Sequence, residues 1–174
     1  AVDMKGIELD LGYRASDLVT LGFSGSFNDS KIKAYNSPTV TALTGITDYT
    51  GNEMPFTSKW SANANVEFHG DIVGHDDATW FVRTDYIFKS GVWSNAANIV
   101  KTADIHKVNA RAGVARGPIS LDVFVTNLFN NKSFTSVGDN WLYSPGLPYG
   151  STHSALVVGL PEKRTGGLQM KYKF

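Results

Sequence analysis

Apolar and polar residues alternate with a period of two in seven stretches spread along the chain, and helical periodicity is nearly absent. The apolar phases are Ile7, Leu9, Leu11, Tyr13; Val19, Leu21, Phe23, Gly25, Phe27; Trp60, Ala62, Ala64, Val66, Phe68; and Trp80, Val82, Thr84, Tyr86, Phe88. They continue as Val108, Ala110, Ala112, Val114; Ile119, Leu121, Val123, Val125; and Leu168, Met170, Tyr172, Phe174. None of these positions is charged, although 18% of the chain is. The opposite phases carry Glu8, Asp10, Glu67, Arg83, Asp85, Arg111, Asp122, Lys171 and Lys173 among Gly, Ser, Thr, Asn and Gln, with Phe81, Ile87, Phe124 and Ala115 as apolar exceptions. The pattern predicts antiparallel strands with one oily and one wet face. A soluble barrel or sandwich satisfies it as well as a membrane-spanning wall does.

Three features favour the membrane. If the strands alternate in direction, Tyr13, Phe68, Trp80 and Phe174 fall at one rim, and Phe27, Trp60 and Phe88 at the other. Between them the oily phase is largely aliphatic, the arrangement of two aromatic girdles around a hydrocarbon band. The expected connections are short at the first rim (14–18, 69–79, 115–118) and long at the second (28–59, 89–107, 130–166), as in outer-membrane barrels. The last stretch, Leu168 to Phe174, ends the chain on an aromatic residue.

Composition then removes other classes. Sixteen basic against sixteen acidic side chains leave no electrostatic footprint for nucleic acid. The longest apolar run, 155–160, is far below the roughly 18 residues of a membrane helix. Without cysteine there is no disulfide, thiolate nucleophile or Cys-based zinc site. The histidines, His69, His75, His106 and His153, match no common metal spacing. His75-Asp76-Asp77 is expected in a solvated turn, and His153-Ser154 has no acidic partner placed by sequence. Neither catalysis, a metal nor a cofactor is expected.

The chain resembles the C-terminal part of the barrel of TonB-dependent outer-membrane receptors over nearly its whole length. The resemblance rests on Lys5-Gly6-Ile7-Glu8-Leu9 leading into Gly12-Tyr13-Arg14-Ala15-Ser16-Asp17, on Val125-Thr126-Asn127-Leu128-Phe129-Asn130 before the last strand, and on Arg164-Thr165-Gly166 opening the stretch to Phe174. It departs where Glu162 and Lys163 separate Pro161 from Arg164, and where Phe134 replaces the commoner tyrosine. The resemblance implies an all-β, antiparallel barrel of about 22 strands in the bacterial outer membrane, its lumen blocked by an N-terminal plug. At about 25 residues per strand such a wall takes roughly 550 residues, so residues 1–174 are expected to be its last seven strands, with the plug and earlier strands elsewhere.

The implied function is TonB-coupled import of a scarce nutrient of the siderophore-iron, cobalamin or glycan class, captured by extracellular loops. The implied partners are the lipid bilayer, the chain's own plug, the TonB complex and the barrel assembly machinery. Loop aromatics Trp93, Trp141, Tyr143 and Tyr149 are candidates to grip the ligand, or equally to pack the loops. The charged residues of the wet phase are expected to face the lumen, most simply as cross-strand ion pairs. Leu168, Met170, Tyr172 and Phe174 resemble the C-terminal signal read by the assembly machinery. Two alternatives stay open: a small complete outer-membrane pore or structural barrel, its extra strand hidden in 155–160 or 39–47, and a soluble ligand-binding β-barrel.

Overall fold

Each alternating stretch becomes a strand of one sheet. A computed structural model describes residues 1–142 and 153–174. In chain order its elements are β1 (Val2–Ser16), β2 (Val19–Ile32), helix α1 (Pro38–Thr44), β3 (Trp60–Ile72), β4 (His75–Lys89), β5 (Ile105–Arg116), β6 (Ile119–Thr126), β7 (Ser136–Leu142), β8 (His153–Gly159) and β9 (Thr165–Tyr172). Strands β1 to β6 and β9 form an antiparallel sheet in that order. Its register aligns the two phases. Phe68, Val82, Ala112, Val123 and Leu168 share a row, and Glu67, Arg83, Arg111, Phe124 and Gly167 form the neighbouring row on the opposite face.

The oily face is uncovered among the described residues even on interior strands: Val82 is 44% exposed, Val114 46% and Val123 53%. A soluble barrel turns that phase inward, because burying each such side chain is worth about 1.5–3 kcal/mol. The soluble alternative therefore does not fit. The buried apolar cluster lies elsewhere, in segments beyond one end of the sheet, where Ile32, Tyr49, Ala96 and Ala97 pack with Val40 and Ile46. The sheet is not closed: β1 and β9 are its edges, and no pairing joins them among the described residues.

At one end the strands are joined by two-residue turns, 17–18, 73–74 and 117–118. Gly74 (φ 83) and Gly117 (φ 52) supply the left-handed backbone that two of these turns use. The expected loop 69–79 is thus too long. β3 and β4 continue through it, pairing Asp71 with Thr79 and Ile72 with His75, so His75 opens a strand instead of sitting in a turn. The reason is physical: past the apolar band the backbone ladder persists, but neither face is uniformly apolar, and the alternation that marks a strand in sequence stops. At the other end β1 and β2 run on in the same way, from Gly6 opposite Asn28 to Val2 opposite Ile32.

The long connections, 33–59, 90–104 and 127–164, carry structure of their own. The segment 39–47 holds α1, not a hidden strand. Ser37 caps it, accepting a 3.3 Å hydrogen bond from the Val40 N–H, Pro38 occupies the first turn, and Gly45 ends it at φ 73. The segment 155–160 does contribute a strand, β8, but it pairs with β7, Val137 opposite Val158, in a separate hairpin. The wall therefore keeps seven strands, and the extra strand of a small even-stranded barrel is not found among the described residues. At the C-terminus β9 ends at Tyr172, short of Phe174.

Candidate functional site

On the wet face the charges converge in the middle of the sheet. The Arg83 guanidinium donates to Asp85 at 2.8 Å and to Glu67 at 3.4 Å. Directly opposite Arg83 on β5, Arg111 pairs with Asp122 and donates to Gln169 Oε1 at 2.7 Å across two strands. The Asp122 side chain is only 7% exposed, a burial that its arginine partner makes tolerable. Gly113 makes room, since a Cβ there would overlap both the Asp122 carboxylate and the Phe81 ring. Gly167 does the same beneath the Phe124 ring, which accounts for two aromatics on the wet phase. Glu8 and Asp10 stand on edge strand β1, and Lys171 on edge strand β9 with Lys173 just beyond it. None of these four joins an ion pair among the described residues.

On the oily face Phe23 and Tyr86 flank Ala64 in an inner row, two rows in from Phe27 and Trp60. Phe27 and Trp60 face each other at 4.3 Å between ring centroids. Beside them Phe88 packs on His106 at 5.1 Å, and His106 Nδ1 is hydrogen-bonded to the Tyr86 hydroxyl at 2.8 Å. Toward the turn end Tyr13 and Phe68 are exposed, and the Trp80 ring lies against Gly70. Phe174 meets Tyr172 edge-on at 5.2 Å, with Leu168 and Met170 exposed on the same strand.

Beyond the Phe27 and Trp60 end, the segments 33–59 and 90–104 lock into a cap. Its polar centre is Glu53, which accepts the indole N–H of Trp93 at 2.7 Å and meets Lys59 at 3.3 Å and Lys101 at 3.6 Å. The Trp93 hydrogen bond foremost, with Lys59 and Lys101 behind it, holds the Glu53 carboxyl below its usual range against the opposing effect of burial. Hydrogen bonding to Glu53 likewise raises Lys59. Asn98, at φ 55, accepts from the Glu53 N–H and donates to its carbonyl, while the Asn52 amide donates to Ala96 O at 2.8 Å. Trp93 is thus engaged in joining the two segments, with Lys101 over its ring at 5.0 Å. Trp141 is placed on β7, but its side chain, and Tyr143 and Tyr149 entirely, lie outside the described residues.

The base of the third connection is closed by Asn127. Its side chain donates to the carbonyls of Asn131 (3.0 Å) and Glu162 (2.7 Å) and accepts from the Asn131 N–H (2.8 Å). Its backbone sits at φ 49 and 1% of the residue is exposed. Arg164 reaches back to Leu128 O at 3.4 Å, and Glu162 binds Lys107 at 2.9 Å, which lowers the Glu162 carboxyl from its usual range. The motif residues around Asn127 and Arg164 therefore act as one clasp, and Glu162 has a role within it.

Two adjoining cavities of about 370 and 330 Å³, open to solvent, are lined by cap residues together with the ends of β1 and β2 and residues of β7 and β8. The larger is walled by Val2, Tyr35, Val40, Leu43, Met54, Pro55 and Phe56, with Ser94, Asn95 and Asp139 among its polar residues. Leu43, Asn95 and Asp139 line both. The Asn95 amide donates to the Asp139 carboxylate, and its oxygen accepts the Ala97 N–H at 2.8 Å. Sequence reasoning missed these groups, because Asn95 and Asp139 meet across 44 positions and neither belongs to a local motif. The cues that were present are the small residues Ser94, Ala96 and Ala97, which permit close packing, and an acid placed between Val137 and Trp141.

The family model for the TonB dependent receptor-like β-barrel matches residues 1–128. Among solved structures, the ferric yersiniabactin uptake receptor of Yersinia pestis is similar at a TM-score of 0.73 and 17% identity, over 99% of this chain and 24% of that one. The siderophore receptor PiuA of Acinetobacter baumannii is similar at a TM-score of 0.74 and 17% identity, over 99% of this chain and 22% of that one. The chain thus spans about a quarter of the length of these structures. No curated protein matches it.

Proposed function

The chain belongs to the TonB-dependent receptor β-barrel family, and from that premise we propose that it is wall and extracellular loop of an outer-membrane importer. The seven strands are the C-terminal strands of a barrel of about 22, with a plug and the remaining strands supplied by the rest of the receptor. Lipid covers the oily face, and the wet face borders the lumen. The observation that carries this reading is a sheet with an exposed apolar face, a charged opposite face and two free edges, which lipid tolerates only when further strands complete the circle.

The cargo is a small nutrient complex. A siderophore-bound iron is favoured over cobalamin or a glycan, because the similar solved structures are siderophore receptors. Import is energised through TonB, and the C-terminal phase from Leu168 to Phe174 is read by the assembly machinery. The test is uptake of iron-55 chelates by iron-starved cells carrying the full receptor, with and without TonB. Uptake that needs both receptor and TonB is expected; uptake that persists without TonB overturns the proposal.

A further inference from the structure

In the middle of the wet face each arginine is matched to an acid: Arg83 meets Asp85 and Glu67, and Arg111 meets Asp122. Toward the loop end that matching breaks down. Lys89 and Lys107 are diagonal neighbours on the wet phase of β4 and β5, since Ile87 pairs with Lys107 and Lys89 with Ile105. Both line a hollow of about 300 Å³ between these strands and the Asn127 clasp. Glu162 lines it too, bound to Lys107 at 2.9 Å. Lys89 joins no ion pair among the described residues. The acid of its own cross-strand row, Glu8, stands three strands away, about 14 Å at the usual strand spacing. Residues 143–152 contain no Asp or Glu, so that stretch brings no carboxylate to Lys89. Like charges set this close repel, and one glutamate offsets only one of them.

The walls of the hollow carry a second feature. Ile87 and Ile105 place apolar side chains on the wet phase, and Pro161 borders the same space. Asn131, whose side-chain oxygen accepts the Ser133 N–H at 3.0 Å, keeps its own N–H donors without an acceptor among the described residues. A concave, partly apolar space with a few donors is the usual form of a small-molecule site. We infer that this hollow binds an oxyanion, a carboxylate first of all, carried on an apolar body, and that it is a subsite for the imported molecule. Lys89 supplies the unmatched charge, Lys107 shares its ammonium between Glu162 and the anion, and the two isoleucines take the apolar body. Lys132, Lys163 and Arg164 in the adjoining clasp add to the positive field that draws an anion in. The inference rests on the importer reading, since it names the chemical class of molecule met at the mouth of the lumen.

A matched set of probes tests it. Benzoate, benzamide and benzylamine share one ring of a size that a cavity of about 150 Å³ already holds, and differ in charge. Binding to the full receptor in nanodiscs is followed by saturation-transfer NMR. Benzoate is expected to bind at least about tenfold more tightly than benzamide, with benzylamine weakest. Lys89→Gln, at an exposed position, lowers the affinity for benzoate about tenfold and leaves benzamide unchanged. Lys89→Glu reverses the order, so that benzylamine exceeds benzoate, a result that loss of folding cannot produce. Benzoate that does not bind, binds no better than benzamide, or is indifferent to Lys89→Gln overturns the inference. Iron uptake by cells carrying the full receptor separates the two readings. TonB-dependent uptake with no preference for benzoate removes the subsite and keeps the importer, whereas a Lys89-dependent preference without TonB-dependent uptake keeps the anion site and removes the importer.

Discussion

Asn127 combines a left-handed backbone, near-complete burial and a side chain that closes both ends of its own connection. Asn127→Ala strips those bonds and leaves a residue that tolerates the left-handed region less well than asparagine, and should loosen the clasp by about 2–4 kcal/mol. Hydrogen exchange at 128–135 and 160–164 should rise. Asn127→Gly relieves the strain but not the lost bonds, so it should recover only part of the protection; protection equal to wild type in either variant refutes the role. Glu53 makes a pH prediction. Its folded pKa is depressed below the ordinary 4.5, chiefly by the Trp93 hydrogen bond, so the unfolded cap binds the proton more tightly than the folded one. The stabilisation is complete above the ordinary value and is lost as pH falls through the lower folded value. Limited proteolysis within 90–104 should therefore accelerate in acid below pH 4.5 and not between pH 6 and 8. Glu53→Gln should be cleaved faster at neutral pH and show little of the acid response.

Strands make a sharper demand on side chains than turns or caps do, because successive positions face opposite sides of the sheet, one apolar and one polar. Val123, on the oily face of β6 with neighbours on β5 and β9, is 53% exposed in the sheet. Val123→Arg should destabilise the folded receptor by about 2–4 kcal/mol. Ser24→Arg, at an exposed position on the wet face of β2 opposite Asp10, should cost far less. The temperature at which the folded band is lost on unheated gels distinguishes them, and equal losses would contradict the assignment of faces. The same demand explains what was legible in the sequence. Where one face is uniformly apolar, as from Trp60 to Phe68, the strand announces itself with its phase. Where it is not, as from His69 to Ile72, the backbone stays paired but its signal vanishes. Helix α1 was marked by Ser37, Pro38 and Gly45, a cap, a first-turn proline and a C-terminal glycine in a stretch searched only for strands. The contact between Asn95 and Asp139 joins two distant connections, which no local pattern encodes.

In the whole molecule the two edges dominate. β1 and β9 present unpaired N–H and C=O groups beside an exposed apolar face, and neither can be left in hydrocarbon. Residues 1–174 produced alone should fail to give a monodisperse monomer in detergent, whereas the full receptor should; light scattering after size exclusion decides between them. A stable monomer of the short chain would mean that its edges are satisfied internally. Strands β6 and β9 pair directly although 38 residues separate them in sequence, and the Asn127 clasp fastens the base of that excursion before β7 begins. The barrel's closure is consequently indifferent to what the excursion contains. Between Ser136 and Gly159 the chain can be lengthened, shortened or exchanged without changing which strands of the seven-stranded sheet are neighbours.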